Sequence, residues 1–570
     1  MNSPIAAPLF ARLGQAGALI GEGKAREAAN LLRPLVADHP GAAPARLLFG
    51  LALRDLGQSA AAEAQLRAAL RLDPASGPAA VNLSELLLGL GRAEEALAAT
   101  TALAALESAD LFVLSAHGAA LKALGRLAEA IGAYERAVRA APHSAVAEHN
   151  LAGALGDAEF FAQSETATRR AFAKGLDAPE TWLVHARAMV GQSRYDEAES
   201  AYREALRRRP DHVEALGELA QVIWMRSEDA GLASAPLDKA ISGNPGLQAL
   251  ALKRAELLEY AGDAAAAYAS LADVVSRPDA EPMIHIEAAR LSMRDNPSRA
   301  LDHARRAVAL IPDDRIAQAT LCEAHLASGE AGAATAVALD LRRTAPLDQH
   351  AIGLLAAAWR LAGDGRYEEL YDYQSLVGSW RIDTPQGWPD LAAYLADLSK
   401  SLATLHVLRT HPIGQSVRHG SQTSQNLTLS TDPAIAAFFR AVDGPIRRHI
   451  AALGPGDDLV RSRIAADYRF AGAWSIRLRP GGFHANHLHP MGWLSSACYI
   501  ALPSAIRHDR QGWLKFGEPG VATSPALAAE HFIEPEPGLL ALFPSYMWHG
   551  TVPFAGDEPR LTIAFDVVPA

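Results

Sequence analysis

The chain has 570 residues, too many for one compact core, so two or more domains are expected. Hydrophobic residues make up 49% of it and aromatics only 6%, with Ala and Leu dominating the first two thirds, a composition suited to closely packed small-residue helices. The net charge of −11 is spread without long like-charge runs, which argues against a nucleic-acid partner.

From the N-terminus the first feature is a repeat of 34 residues. Gly23, Gly57, Gly91, Gly125, Gly329 and Gly363 fall on one frame, which continues without slipping through Glu159, Ser193, Ser227, Ala261 and Asp295. Five residues on come Ala28, Ala62, Ala96, Ala130, Ala198, Ala266, Ala300 and Ala334; seventeen on come Pro40, Pro74, Pro142, Pro210, Pro278, Pro312 and Pro346. Glycine ends a first helix with a left-handed turn, alanine lets two helices approach, and proline closes the second helix. The pattern resembles the tetratricopeptide repeat, with Trp182, Tyr195, Tyr202 and Pro210 marking the clearest copy. That resemblance implies about ten or eleven helical hairpins over residues 1–365, stacked around a groove that usually holds an extended peptide or partner protein.

Residues 366–464 change character, with Trp380, Trp388 and helical stretches near 391–405 and 433–453. Gln415, Arg418 and Gln422 in this region either line a substrate mouth or fix a loop. The remaining segment, about 465–570, holds a run at 558–568 that alternates like a strand.

Chemistry concentrates in that last segment. Residues 482–490 read GFHANHLHP; on an extended strand His487 and His489 leave the same face, while His484 points to the opposite one. His549 closes the run LFPSYMWHG at 542–550, at a distance that lets an antiparallel barrel return it over the first strand. Three nitrogen donors with open positions suit a catalytic metal better than a structural one. Eleven residues on, Arg560 opens an alternating strand on which it shares a face with Thr562. A guanidinium fork with a nearby hydroxyl is a natural carboxylate partner, and metal plus carboxylate anchor implies a chelating oxo-acid.

These motifs, together with residues 411–423 (HPIGQSVRHGSQT), 495–503 (SSACYIALP) and 512–517 (GWLKFG), resemble the Fe(II)- and 2-oxoglutarate-dependent oxygenases, in particular the branch fused to tetratricopeptide repeats. The resemblance covers roughly 380–570. It implies a double-stranded β-helix, or jelly roll, with bracing helices over 366–570. Fe(II) would sit on His487, His489 and His549; Arg560 with Thr562 would hold the distal carboxylate of 2-oxoglutarate, and Tyr499 would assist. The commoner pattern has Asp or Glu where His489 stands. The position is then either empty, with His489 swung aside, or ligated by the imidazole as the resemblance implies.

The expected architecture is an α + β multidomain chain, an all-α solenoid carrying an oxygenase that hydroxylates a peptide or protein side chain held in the repeat groove. Two alternatives stand beside it: a non-catalytic repeat adaptor with a degenerate cupin-like barrel, and a small-metabolite oxygenase whose solenoid serves assembly. A cupin would need a Glu shortly after His489, and 491–495 (MGWLS) has none. Cys322 and Cys498 are too few for a disulfide framework, the start lacks a basic segment leading into an apolar core, and no apolar stretch is long enough to span a bilayer. A cytoplasmic location with no membrane partner is the corresponding expectation.

Overall fold

The computed structural model describes residues 6–570. They form two compact units, 6–208 and 209–570. Helices run in antiparallel pairs from Ala6–Gly21 and Ala25–Asp38 to Arg315–Ala327 and Ala331–Thr344, ten hairpins among the described residues, followed by the single helix Gln349–Ala362. The expected proline falls two residues past the second helix in most hairpins, as with Pro40 after Asp38 and Pro346 after Thr344. No described helix is long and apolar enough to cross a membrane.

The repeat frame does slip, contrary to the even count in the sequence. Gly23, Gly57, Gly91 and Gly125 have φ of +71° to +73°, and Glu159 and Ser193 take the same left-handed turn at +62° and +59°. The next two turns fall one residue late, at Glu228 and Gly262. The buried small residue moves with them: Ala233 and Ala267 are 0% exposed, whereas Leu232, on the regular frame, is 59% exposed. By Ala300, again 0% exposed, the frame is restored. The shift begins beside the repeat end where Trp224 and Met225 meet residues 409–411.

That domain consists of two antiparallel sheets. Strands β1 (Gly378–Arg381), β2 (Val417–Gln422), β3 (Tyr468–His484), β4 (Leu494–Ala501), β5 (Leu514–Phe516), β6 (His531–Ile533), β7 (Leu539–Pro544), β8 (His549–Thr551) and β9 (Arg560–Pro569) are arranged as a six-stranded sheet, β1-β7-β4-β9-β3-β2, and a three-stranded sheet, β6-β5-β8. Phe516 of β5 meets Phe543 of β7 edge to face at 5.0 Å, joining the two layers. The larger sheet recruits two edge strands from before residue 465, β1 and β2, whose short polar sequences gave no strand signal. The helices Leu391–Ala403 and Pro433–Leu453 brace its outer face, where Phe438 packs on Phe565.

Strand β9 shows how one sequence serves both faces. Leu561, Ile563, Phe565 and Val567 point into the apolar core, while Arg560, Thr562, Ala564 and Asp566 line a cavity on the other side.

Repeat residues from Ala319 to Trp359 share a core with the sheets, and earlier repeats of the second unit reach the sheet domain through hydrogen bonds. Trp224 donates its indole N–H to the His411 carbonyl at 3.0 Å, and the Met225 carbonyl accepts from the amides of Arg409 and Thr410. Arg479 pairs with Glu228 and Arg360 with Glu530. At Gly353 the approach is closest: Trp548 donates to its carbonyl at 2.9 Å, and an added Cβ would stand 2.6 Å from Leu488. Gly353 thus supports the residue between His487 and His489 and the residue before His549.

Candidate metal and anion site

The loop after β3 and the start of β8 meet through one antiparallel pair. The His487 amide donates to the His549 carbonyl at 2.8 Å, and the His549 amide returns a bond at 3.0 Å. This places both imidazoles together without the regular strand expected around 482–490. The ligand nitrogens of His487, His489 and His549 lie within 4.8 Å of one another, and the Nε2 atoms of His487 and His489 are 3.2 Å apart. Two nitrogens bound to one metal at about 2.1 Å would be separated by about 3 Å, close to that spacing.

In all three rings the outer nitrogen is engaged. Nδ1–H donates to the Ala485 carbonyl from His487 and to the Met547 carbonyl from His549, each at 2.9 Å. A carbonyl can only accept, so these bonds fix the tautomer and leave the Nε2 lone pairs for a metal. The His489 Nδ1 faces both oxygens of Asp566, at 2.7 and 2.9 Å. Burial, with His489 nearby, lowers the His487 pKa to about 3 and holds His549 well below its ordinary value, so both are neutral and ready to donate.

His484 does not point away. Because the strand ends there, its ring stacks on His487 at 5.7 Å and takes a bond with the Ser416 hydroxyl at 2.9 Å. It stands beside the three-histidine group and outside it.

Arg560 and Thr562 face the same cavity as the histidines. Arg560 is 2% exposed, its Nε has no hydrogen-bond partner, and burial lowers its pKa. Tyr499 is fully buried with its ring 5.1 Å from the guanidinium. A cation this deep without a carboxylate beside it fits a site for an anionic ligand. Three imidazole nitrogens and a buried guanidinium on one cavity wall match the donor set that Fe(II) and a dicarboxylate would need.

The cavity measures about 1050 Å³. Its far wall comes from the repeats, through Glu259, Tyr260, Arg290, Arg294, Glu323 and His350. His350 lies 3.2 Å from Glu323; burial opposes its charge, but the carboxylate prevails and raises its pKa. Gln415, Arg418 and Gln422 also line the cavity, and Arg418 at the same time ties the loop by donating to the Gln415 and Val417 carbonyls. Neither the repeat wall nor Asp566 was singled out by the motif. The signal for Asp566 was present: it is the one carboxylate on β9 and shares the alternating face of Arg560. Cys322 and Cys498 are buried and unpaired.

Comparison with known proteins agrees with this division. Residues 472–566 match the family described as "Putative 2OG-Fe(II) oxygenase", and residues 13–77, 47–110 and 183–247 match "Tetratricopeptide repeat". No curated protein matches the chain. Among solved structures, a tetratricopeptide repeat protein from Parabacteroides merdae is similar at 18% identity and TM-score 0.32, over 48% of this chain and 94% of that one. A thermophilic TPR protein of Thermus thermophilus is similar at 24% identity and TM-score 0.29, over 32% of this chain and 99% of that one. Yeast Tom70 is similar at 11% identity and TM-score 0.38, over 64% of this chain and 91% of that one. The chain carries tetratricopeptide repeats followed by an antiparallel-sheet domain, and residues 472–566 of that domain match the "Putative 2OG-Fe(II) oxygenase" family.

Proposed function

We propose that the chain is an Fe(II)- and 2-oxoglutarate-dependent oxygenase that hydroxylates a peptide or protein side chain presented by its repeats. The observation that carries this reading is the convergence of three imidazole nitrogens and one buried guanidinium, which pairs with no carboxylate of the described residues, on a single cavity. His487, His489 and His549 would hold the iron, and Arg560 with Thr562 would hold the distal carboxylate of the cosubstrate. When bound, ferrous iron with a 2-oxo acid supplies the oxidation of an unactivated C–H bond by dioxygen.

The remaining work falls to the chain itself. Carbonyl acceptors at Ala485 and Met547 keep two ligand rings oriented. Trp548 and Leu488, packed on Gly353, keep bulk water from the back of the site. Tyr499, its pKa pushed up to about 12 by burial, stays protonated beneath Arg560 and adds no negative charge to compete with a carboxylate. The cavity wall drawn from the repeats favours a substrate bound by both parts over a metabolite enclosed by the sheets alone, because remote contacts can then position the reacting carbon.

Anaerobically purified protein loaded with Fe(II) should convert 2-oxoglutarate to succinate when oxygen is admitted. Intact-mass screening of peptides should then find one that gains the mass of a single oxygen atom. Iron-loaded protein that yields no succinate, with or without candidate peptides, would remove the proposal.

A further inference from the structure

The commoner ligand pattern places a carboxylate directly on the metal, and this chain has His489 there. The structure shows where a carboxylate stands instead. Asp566 is 8% exposed and presents both oxygens to the His489 Nδ1, at 2.7 and 2.9 Å. It is held from the other side by the Ser495 hydroxyl, which donates to Oδ1 at 2.7 Å and lies 2.8 Å from the Ser545 hydroxyl. The Ser545 carbonyl in turn accepts the His489 amide at 2.9 Å, so the ring is fixed through its backbone and its side chain by one cluster. Trp474 stacks on the ring's face at 5.8 Å. Gly492 closes the cluster: a Cβ there would sit 2.2 Å from the Ser545 hydroxyl and 3.4 Å from the Asp566 carboxyl carbon.

We infer that Asp566 is the positioning residue of the metal site: it makes His489 a ligand and replaces, one residue removed from the metal, the negative charge that a directly bound Asp or Glu would bring. A carboxylate accepting from Nδ1–H settles the tautomer with the Nε2 lone pair facing His487 and His549, and it raises the donor strength of the ring. An imidazole without that partner would be free to turn or to carry its proton on Nε2. The alternative in which His489 swings aside is then disfavoured by three anchors at once: Asp566, the Ser545 carbonyl and the Trp474 stack. Two of these anchors lie outside the metal motif, on β9 and β3, which explains how a three-histidine site can persist without the usual acidic ligand.

This inference rests on the reading of the three histidines as a metal site, and the test separates the two. Cobalt(II) is titrated anaerobically into the full-length protein and into the Asp566→Asn, Ser495→Ala and His489→Ala variants, with folding checked by circular dichroism. Affinity and the visible d–d spectrum are recorded for each. The expected result is that Asp566→Asn weakens cobalt binding by roughly 10–100-fold and moves the spectrum towards that of His489→Ala, with Ser495→Ala intermediate. A residue that merely packs would lower the melting temperature and leave both readouts of the folded protein in place. If Asp566→Asn does not fold, the parent protein still decides: the zinc-loaded form with 15N-labelled histidine should show a strongly downfield proton bonded to the His489 Nδ1. Parent-like affinity and spectrum in Asp566→Asn, or a His489 proton on Nε2, overturns the role of Asp566 while leaving the metal site standing. Failure of the parent to bind cobalt overturns the metal reading itself.

Discussion

Replacing Arg560 with Leu should separate ligand binding from stability, because the two respond to the same buried charge with opposite sign. Arg560 is 2% exposed, its Nε is unpartnered, and the group facing it is the Tyr499 ring at 5.1 Å. No carboxylate offsets it among the described residues; burial lowers its pKa, and only Tyr499 acts to raise it. Losing one partner of a desolvated charge pair costs roughly 2–5 kcal/mol, about thirty-fold to several-thousand-fold in affinity at about 1.4 kcal/mol per decade. The dissociation constant for 2-oxoglutarate should therefore rise by at least about thirty-fold in protein loaded with Zn(II), measured by calorimetry. In ligand-free protein the same change removes an uncompensated interior charge, so the melting temperature should hold or rise. The parent should gain thermal stability with 2-oxoglutarate, by about 2.7 kcal/mol at a hundred times its dissociation constant, and the variant should gain far less at that concentration. A dissociation constant within about threefold of the parent would refute the anion assignment. Loss of stability in the ligand-free variant would show that Arg560 has a protein partner.

Three further outcomes follow from the geometry. His549→Ala should abolish metal binding, His489→Ala should weaken it by degrees, and His484→Ala should keep it within about threefold, all read by metal analysis after anaerobic loading; comparable losses at His484 and His549 would redraw the site. The fragment 366–570 should be insoluble or molten, since Leu354, Leu355 and Trp359 share a core with Leu542, Phe543 and Trp548, whereas 209–570 should fold and bind metal; a cooperative melt from the shorter fragment would contradict this packing. Acid should destabilise the second unit: burial lowers His406, His411 and His449 from the ordinary 6.5 to about 4, so between those values the unfolded chain binds protons that the folded chain refuses, and stability rises with pH. Glu287, raised to about 6 by burial, works the other way between about 4.5 and 6, and His350, raised by Glu323 against its burial, works the other way above 6.5. A melting temperature unchanged between pH 7 and pH 5 would count against the buried neutral imidazoles.

Much of the site was legible because short-range spacing and chain chemistry carried it. The three histidines, Arg560 and Thr562 do share one cavity. What local alternation could not supply was the place where the strand stops. His484 was assigned the far face on a regular strand, yet β3 ends at that residue and the ring turns to the near side. The repeat frame shows the same limit: a count of 34 runs unbroken through Ser227 and Ala261, while the backbone turns at Glu228 and Gly262. A polar helix end tolerates either register, and the choice between them is made by tertiary contacts such as Trp224 on His411. Asp566 differs: alternation places it on the face of Arg560, but its partner His489 lies 77 residues away, so the pairing itself is not local.

Gly353 sets a limit on how this molecule can change. Its missing side chain admits Leu488 and Trp548, the neighbours of all three histidines, against a repeat helix. A helix that elsewhere would be an interchangeable unit of a repeat array is here tied to the geometry of the three-histidine group. A helix with a side chain at this point would push against Leu488 and Trp548. Directed evolution of substrate preference therefore has more room in the residues that face the cavity, such as Glu259, Arg290 and Glu323, than in the helix that bears on the histidines from behind.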